Sequence, residues 1–283
     1  KLIDSNDTLG TYFYTRSPLF TGFDSVLLKK ITANQEPYLS ENVWKDIIRS
    51  KDIKKHFIKK STSKVFFPYD KINAIFVLML EKNLKEKYPK TYDYLSNFKD
   101  RLLQRKDSGR TFKQINRAWY SLMRVGKPED YEKEKIIIPE VVKNSSFAID
   151  NSKRFFQTGR TYGIIPKETS CINLRYLYAL LNSRLIEYFI LSNSIPQRGG
   201  WVAVSSESLK AIPIKPLSQK DQQPYIKLVD QILSITKDDN YLNNPEKQAK
   251  VKRLEKEIDK LIYKLYGLTP KEIKIIEEFN EKR

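Results

Sequence analysis

Four apolar runs in this sequence stop at a proline: Phe66-Phe67-Pro68, Ile137-Ile138-Pro139, Ile164-Ile165-Pro166 and Ala211-Ile212-Pro213. Proline has no N–H to give to a β-ladder, so it marks strand ends and sheet edges. With 146–150 and 201–204, these runs predict one curved antiparallel or mixed sheet. Residues 64–68 read as one of its strands. Residues 11–31 alternate apolar and polar positions around Thr21-Gly22-Phe23-Asp24, which reads as a strand, a tight turn and a second strand.

Helical periodicity fills much of the rest. The stretch 72–106 is expected to be helical and broken at Tyr88-Pro89, because the residue before a proline is pushed out of the helical region. Leu95, Phe98, Leu102 and Leu103 would be its core face. A second helical stretch is expected over 173–192, capped by Asn173, with Leu174, Leu177, Leu181, Leu185 and Phe189 as its stripe. After Pro216 the composition changes: no glycine occurs from 217 to 266, and Lys and Glu dominate. Residues 219–237 and 245–266 read as two amphipathic helices paired as a hairpin, their charges a solvated face. Gly267 ends the second. Thr269-Pro270-Lys271-Glu272 is a capping box for a last short helix to about 279. The fold class is therefore α+β: a curved, mostly antiparallel sheet with packed helices, then a C-terminal helical hairpin or bundle. The division expected is 1–216 for a recognition domain and 217–283 for a helical region that braces it or docks on a separate catalytic core.

Several kinds of chemistry lack their residues. One Cys and one His cannot make a disulfide framework or an ordinary Cys/His zinc site. That fits a reducing compartment. His56 lies among lysines and reads as surface or backbone-facing rather than catalytic. The nine glycines form neither Gly-x-Gly-x-x-Gly nor a P-loop. The nearest string to the Asn-Pro-Pro-aromatic of amino-methyltransferases, Asn244-Pro245-Glu246, lacks the second proline and the aromatic. Glu272-Ile273-Lys274 has the short form of a nuclease signature but is placed on the last helix without an acidic partner. Pro128-Glu129-Asp130 lacks the lysine that would complete one. The longest apolar run, 74–80, is too short to span a membrane. There is no signal-peptide pattern at the start, and the chain opens on Lys1, so a piece of a larger protein is expected.

The charge points elsewhere. Lys and Arg number 52 against 34 Asp and Glu, a net +18, which suits a nucleic acid or another acidic partner. Outside the C-terminal helices the basic residues are interleaved with aromatics and amides, as in Arg154-Phe155-Phe156-Gln157-Thr158-Gly159-Arg160. Arg stands beside Gly in Ser108-Gly109-Arg110 and in Gln197-Arg198-Gly199-Gly200-Trp201. Arg and Gln can read base edges, and Gly lets a backbone approach a phosphate.

The order of the segments carries a family resemblance over nearly the whole chain. Pro18-Leu19-Phe20-Thr21-Gly22-Phe23-Asp24 resembles the opening Thr-Gly turn of the specificity region in type IIG restriction–modification enzymes. Ser50-Lys51-Asp52-Ile53-Lys54-Lys55-His56 resembles its Gly-x-Asp-Ile-Lys-x-Tyr segment, with Ser50 for Gly and His56 for Tyr. Tyr88-Pro89, Tyr94-Leu95, Lys99, Leu102, Arg105 and Gly109 resemble its Pro-x-x-x-x-Tyr-Leu helix and following loop. Trp119-Tyr120-Ser121-Leu122, then Glu134-Lys135-Ile136-Ile137-Ile138-Pro139-Glu140, are similar to its Trp segment and its Lys-Ile-Ile-x-Pro strand. Ala179-Leu180-Leu181-Asn182-Ser183 resembles its Leu-Leu-Asn-Ser helix. Gly199-Gly200, Leu209 and Ile212-Pro213-Ile214 continue the pattern, and Leu265-Tyr266-Gly267-Leu268-Thr269 resembles its Leu-Tyr-Gly-Leu-Thr ending. The family is that of the TaqI-like C-terminal specificity domains of adenine-directed DNA methyltransferases and fused type IIG enzymes.

The resemblance implies a target-recognition domain with double-stranded DNA as partner, in the cytoplasm of a prokaryote. The methyltransferase core, with S-adenosylmethionine and Mg, would belong to the parent protein. A nuclease could be fused there as well. None of these cofactors is expected in this fragment. Lys51, Lys54, Lys55, Lys59, Lys60 and Lys64 are the expected phosphate contacts. Arg110, Arg154, Gln157, Arg160, Gln197 and Arg198 are the expected base readers. Trp119 and Trp201 are expected to pack beneath the loops rather than stack on bases, and Arg175 and Arg184 to be structural. The other readings are an RNA-binding or assembly module that reads no sequence, a multi-subunit specificity protein (for which no internal repeat is visible) and a stand-alone enzyme.

Overall fold

The computed structural model describes residues 7–33, 36–156, 160–238 and 240–281. Its α+β class is the one expected, but the strands do not make one sheet: among the described residues there are two four-stranded sheets, one of three strands and three two-stranded ones. The first runs in the order Phe13–Arg16, Thr161–Pro166, Lys135–Pro139 and Ala148–Asp150, all neighbours antiparallel. The second runs Phe155–Phe156, Trp44–Ile48, Ser63–Phe66 and Leu28–Lys30, with Phe155–Phe156 lying parallel to Ile47 and Ile48. The strands on either side of Gly22 therefore do not pair as a hairpin. Phe13–Arg16 joins the first sheet and Leu28–Lys30 the second, with a short helix, Asp24–Leu27, between them.

Burial of Lys135–Pro139 on both faces explains its continuous apolar run. Strand residues alternate sides. Ile136, Ile138 and Ile164 face the main core, built from the helices Leu174–Leu181 and Arg184–Asn193 and from the C-terminal helices. Ile137 faces the other way, into a small core with Ile48, Ile53, Ala148, Tyr131 and Phe156 where the sheets meet. Lys135 also sits in this layer, fully buried. Its ammonium lies 3.1 Å from the Asp150 carboxylate and donates to the carbonyl of Tyr131.

The second sheet has its own core. Trp44, Val65 and Phe66 pack against the helices Glu81–Lys87, Pro89–Ser96 and Lys99–Leu103 and against Trp119, Tyr120 and Leu122. The expected break at Tyr88-Pro89 is present. The first part of the expected helix is instead a β-hairpin, Tyr69–Ile72 with Ile75–Leu78. The β-branched residues here prefer a strand, and Asn73 takes the left-handed turn position at φ 55°. Arg105 clamps the loop that follows. Its guanidinium donates to the carbonyls of Leu102, Thr21, Trp119 and Ser121 at 2.6–2.9 Å and lies 4.2 Å from the centre of the Phe112 ring. Burial lowers its pKa to about 10, so it stays charged at neutral pH.

The expected 173–192 helix is two helices separated at Asn182-Ser183, and the Asn173 side chain caps the first. The C-terminal helices are Gln219–Thr236, Pro245–Tyr266 and Pro270–Glu281. Gly267 ends the second at φ 65°, and Glu272 accepts from the Thr269 N–H at 2.7 Å. Gln219–Thr236 packs on both Pro245–Tyr266 and Leu174–Leu181, and Pro270–Glu281 on Arg184–Asn193. Their buried residues Tyr225, Val229, Ile232, Val251 and Ile258 share one core with Tyr176 and Leu177. No helix among the described residues is long and apolar enough to cross a membrane.

Candidate nucleic-acid interface

Asp52 builds the centre of the basic surface. Its buried carboxylate accepts from the Arg49 N–H (3.0 Å), and its own N–H donates to the Arg49 carbonyl (2.9 Å), closing the turn Ser50–Asp52. A short hairpin follows, Ile53–Lys54 paired with Phe57–Ile58. Alternation buries Ile53 and turns Lys54 to solvent. The Asp-Ile-Lys string therefore serves as cap, anchor and exposed cation.

Two clefts meet at Ser50 and Lys51. One, of 480 Å³, is lined by Lys30, Arg49, Lys51 and Arg160. The other, of 460 Å³, carries Lys51, Lys54, Lys143, Asn144 and Trp201. The Ser50 hydroxyl donates to the Arg160 carbonyl at 2.6 Å and so ties the 160 loop to the turn. Among the described residues, none of Lys30, Arg49, Lys51, Lys54, Lys143 and Arg160 forms an ion pair. Six uncompensated cations around one concavity make a strong anion-attracting field.

The structure brings Lys51, Lys54 and Arg160 together and sends the other expected residues elsewhere. Lys55 turns inward to Glu255 at 2.6 Å. Lys59 and Lys60 line a different cavity, of 580 Å³, with Phe57, Tyr241 and Lys237. Lys64 donates to the Leu39 carbonyl from within the second sheet. Arg154 is engaged internally, donating to Ser152 Oγ and the Lys59 carbonyl beside Asp150. Arg110 is exposed on the hairpin Lys106–Asp107 and Arg110–Thr111, where its cross-strand partner is Asp107. Gln157 lies outside the described residues. Gln197 and Arg198 are exposed on the turn that leads into Trp201. Arg175 pairs with Asp230 and Arg184 with Glu277, as their packed helices suggested. Lys30, Arg49 and Lys143 are further cations of the clefts. Arg49 directly follows the buried pair Ile47-Ile48, a position where a strand leaves the core, and that is the signal by which it could have been found. Lys143 follows Val141-Val142, of which only Val142 is buried, and carries no such signal.

Trp119 packs in the second core as expected, but Trp201 does not: it is 45% exposed. His56 departs from expectation too. It is buried, with φ 75°. Tyr178 Oη lies 2.7 Å from its Nδ1 and Glu255 Oε1 2.8 Å from its Nε2. Burial pushes the His56 ring below its usual pKa. A neutral ring donating from Nε2 to the carboxylate and accepting from Tyr178 fits both contacts. Burial alone would raise the Glu255 carboxyl, but the His56 hydrogen bond and the Lys55 charge outweigh it and bring the pKa down to about 2. One helical turn on, burial raises Asp259 to about 6. This network fastens the basic hairpin to the helix Pro245–Tyr266.

The two carboxyls give opposite pH dependences. Glu255 titrates below its ordinary 4.5, so its contribution is complete above that pH and is lost as pH falls toward 2. Asp259 titrates above its ordinary 3.8, so stability is highest below 3.8 and declines as pH rises through 6. Each amounts to up to about 3 kcal/mol. In urea unfolding between about pH 3 and 7, Glu255→Gln should abolish the acid limb, and Asp259→Asn should abolish the decline. Unchanged curves would show that neither group is coupled to folding.

The family model of the TaqI-like C-terminal specificity domain matches residues 45–214. That span contains every cleft cation except Lys30 and stops just before the C-terminal helices. A relative, the type II restriction enzyme and methyltransferase RM.Eco57I of Escherichia coli, is 26% identical over 162 residues, which cover 56% of this chain and 16% of the relative. The chain thus spans well under a fifth of that protein's length.

Proposed function

The chain belongs to the family of TaqI-like C-terminal specificity domains, and from that premise we propose that it recognises duplex DNA by sequence as the specificity domain of a restriction–modification enzyme. The observation that carries this reading is the pair of confluent clefts lined by six cations without ion-pair partners among the described residues, five of them inside the matched span. Lys30, Arg49, Lys51, Lys54 and Lys143 contact phosphates and set register, and Arg160, Gln197 and Arg198 read base edges. Lys59, Lys60 and Lys64 sit outside the clefts and would act at longer range. Arg110 would reach DNA only at a distance from them. Lys55 and Arg154 position the hairpin and the 150–156 segment rather than touch bases. The helices of 217–283 brace the first sheet.

Adenine methylation, with S-adenosylmethionine and Mg, is proposed for the parent's other parts, as is any DNA cleavage. Among the described residues no group of three or more His, Cys, Asp or Glu could hold a metal ion, and no step is assigned to this chain through either cofactor. The proposed setting is the prokaryotic cytoplasm.

Selection from a randomised duplex pool at several salt concentrations, with sequencing of the bound fraction, tests the reading. A short enriched motif is expected. Salt-sensitive binding without enrichment, or equal binding of RNA, would favour a basic module that reads no sequence. Lys54→Ala should weaken binding to all sequences alike and reduce the salt slope by about one. Arg198→Ala should cost about 1–3 kcal/mol on the selected motif and relax one base position. Uniform losses from both would overturn the division between positioning and reading.

A further inference from the structure

The three tryptophans are not alike. Trp44 and Trp119 are buried, and their indole N–H groups donate to Thr91 and Glu81 at 2.9 Å. Trp201 is 45% exposed, and its indole makes no hydrogen bond to the described residues. Gly199 and Gly200 precede it, both in the left-handed region at φ 71° and 77°. From behind, the Gln197 N–H donates to the Trp201 carbonyl at 2.7 Å. The strand Val202–Ala203 follows, held on both sides by Val141–Val142 and Ile195–Pro196. The backbone under the ring is thus fixed while the side chain stays partly open to solvent along the cleft.

What the ring faces is specific. The 460 Å³ cleft has Ile53, Pro139 and Val142 among its apolar lining and Lys51 and Lys54 on its rim. An aromatic wall and an apolar floor suit the face of a nucleobase, and two ammonium groups suit the phosphates on either side of it. A base within an intact duplex offers a groove only its edge, so its face becomes available when it leaves the stack. Side chains that read edges need hydrogen-bonding groups, whereas an indole offers a plane.

We infer that Trp201 stacks on a single nucleobase displaced from the duplex and that the cleft beside it receives that base. The inference rests on the DNA-recognition reading given above. It adds that binding distorts the DNA and that one base is held by its face, with little dependence on its identity.

The test uses the full 283-residue chain with its Trp201→Phe and Trp201→Ala variants. Short labelled duplexes of one sequence are compared, fully paired or with one central unpaired base. Fluorescence anisotropy gives affinity, and iodide quenching reports whether the exposed indole is covered. The wild type and Trp201→Phe should prefer the duplex with the unpaired base by roughly tenfold. Trp201→Ala should lose that preference, and bound DNA should shield the indole from iodide. Preference retained by Trp201→Ala, or an indole still open to iodide at saturating DNA, would overturn the inference while leaving DNA binding intact. Absence of binding to either duplex at low salt would overturn the DNA reading and this inference with it. Should Trp201→Ala melt early, the Phe variant and the iodide shielding decide alone.

Discussion

Asp150→Ala is expected to destabilise the fold by about 3–5 kcal/mol, the cost of leaving a buried ammonium without its counter-charge. Lys135 is fully buried and its ammonium lies 3.1 Å from Asp150. Burial already pulls the lysine pKa down, and Asp150 opposes that. Without the carboxylate the lysine would hold its proton less firmly, so the deficit should narrow as pH rises and Lys135 becomes neutral. The double variant Asp150→Ala with Lys135→Met should recover much of the loss, because an apolar pair leaves no charge to compensate. Urea unfolding of the four proteins closes the cycle. Additive losses would mean that the pair is not coupled. Asp150 also accepts from the backbone N–H of Ser152, next to the Arg154 that donates to the Lys59 carbonyl. Its loss should therefore loosen the strap between the two sheets as well.

Arg105→Met should cost a similar amount, about 3–5 kcal/mol. Each buried carbonyl left without a donor costs about 1–3 kcal/mol. Arg105 serves four, of which that of Leu102 keeps the residue 105 backbone N–H at 3.4 Å, and removal of a buried charge offsets part of the rest. Arg105→Lys should recover only part of this, since an ammonium cannot reproduce the planar fork of a guanidinium. Thermal melting of both variants distinguishes the cases: a lysine variant as stable as the wild type would show that charge alone is needed. Trp119 and the Thr21 turn share this one side chain, so the loss should appear as loosening of the second core before the first.

The parts of the fold written most plainly in the sequence were those with a local cause. The helix Pro245–Tyr266 announces itself by period and by the glycine at its end. The break at Tyr88-Pro89 follows from sterics. Sheet membership is different in kind. Nothing local says that Phe13–Arg16 and Leu28–Lys30 pair with strands of separate sheets, because pairing is decided by partners far along the chain. The hairpin at 69–78 was missed because its short apolar run fits either period. In the candidate interface, Lys51, Lys54 and Arg160 could be proposed from charge and glycine context. Lys55 could not be told from Lys54 without knowing that Glu255 waits on a helix two hundred residues later. Trp201 was misplaced because bulk predicts burial, and only the paired left-handed glycines before it hint at an exposed perch.

The strand Phe13–Arg16 finds its partner, Thr161–Pro166, only after about 150 further residues have been made. Residues 7–9 are pinned later still, by Leu9 donating to the Ile212 carbonyl and Ile214 to that of Asp7. On a ribosome adding about 5–20 residues per second, the beginning of this chain stays unpartnered for on the order of ten seconds. Contacts of such sequence separation also slow closure itself. Three of the second sheet's four strands, Leu28–Lys30, Trp44–Ile48 and Ser63–Phe66, lie close together in sequence and can pair during that interval, while the fourth, Phe155–Phe156, comes just before Thr161–Pro166. The nascent protein thus has a natural order of assembly, in which the part cored on Trp44 and Trp119 matures first and the first sheet closes over it last.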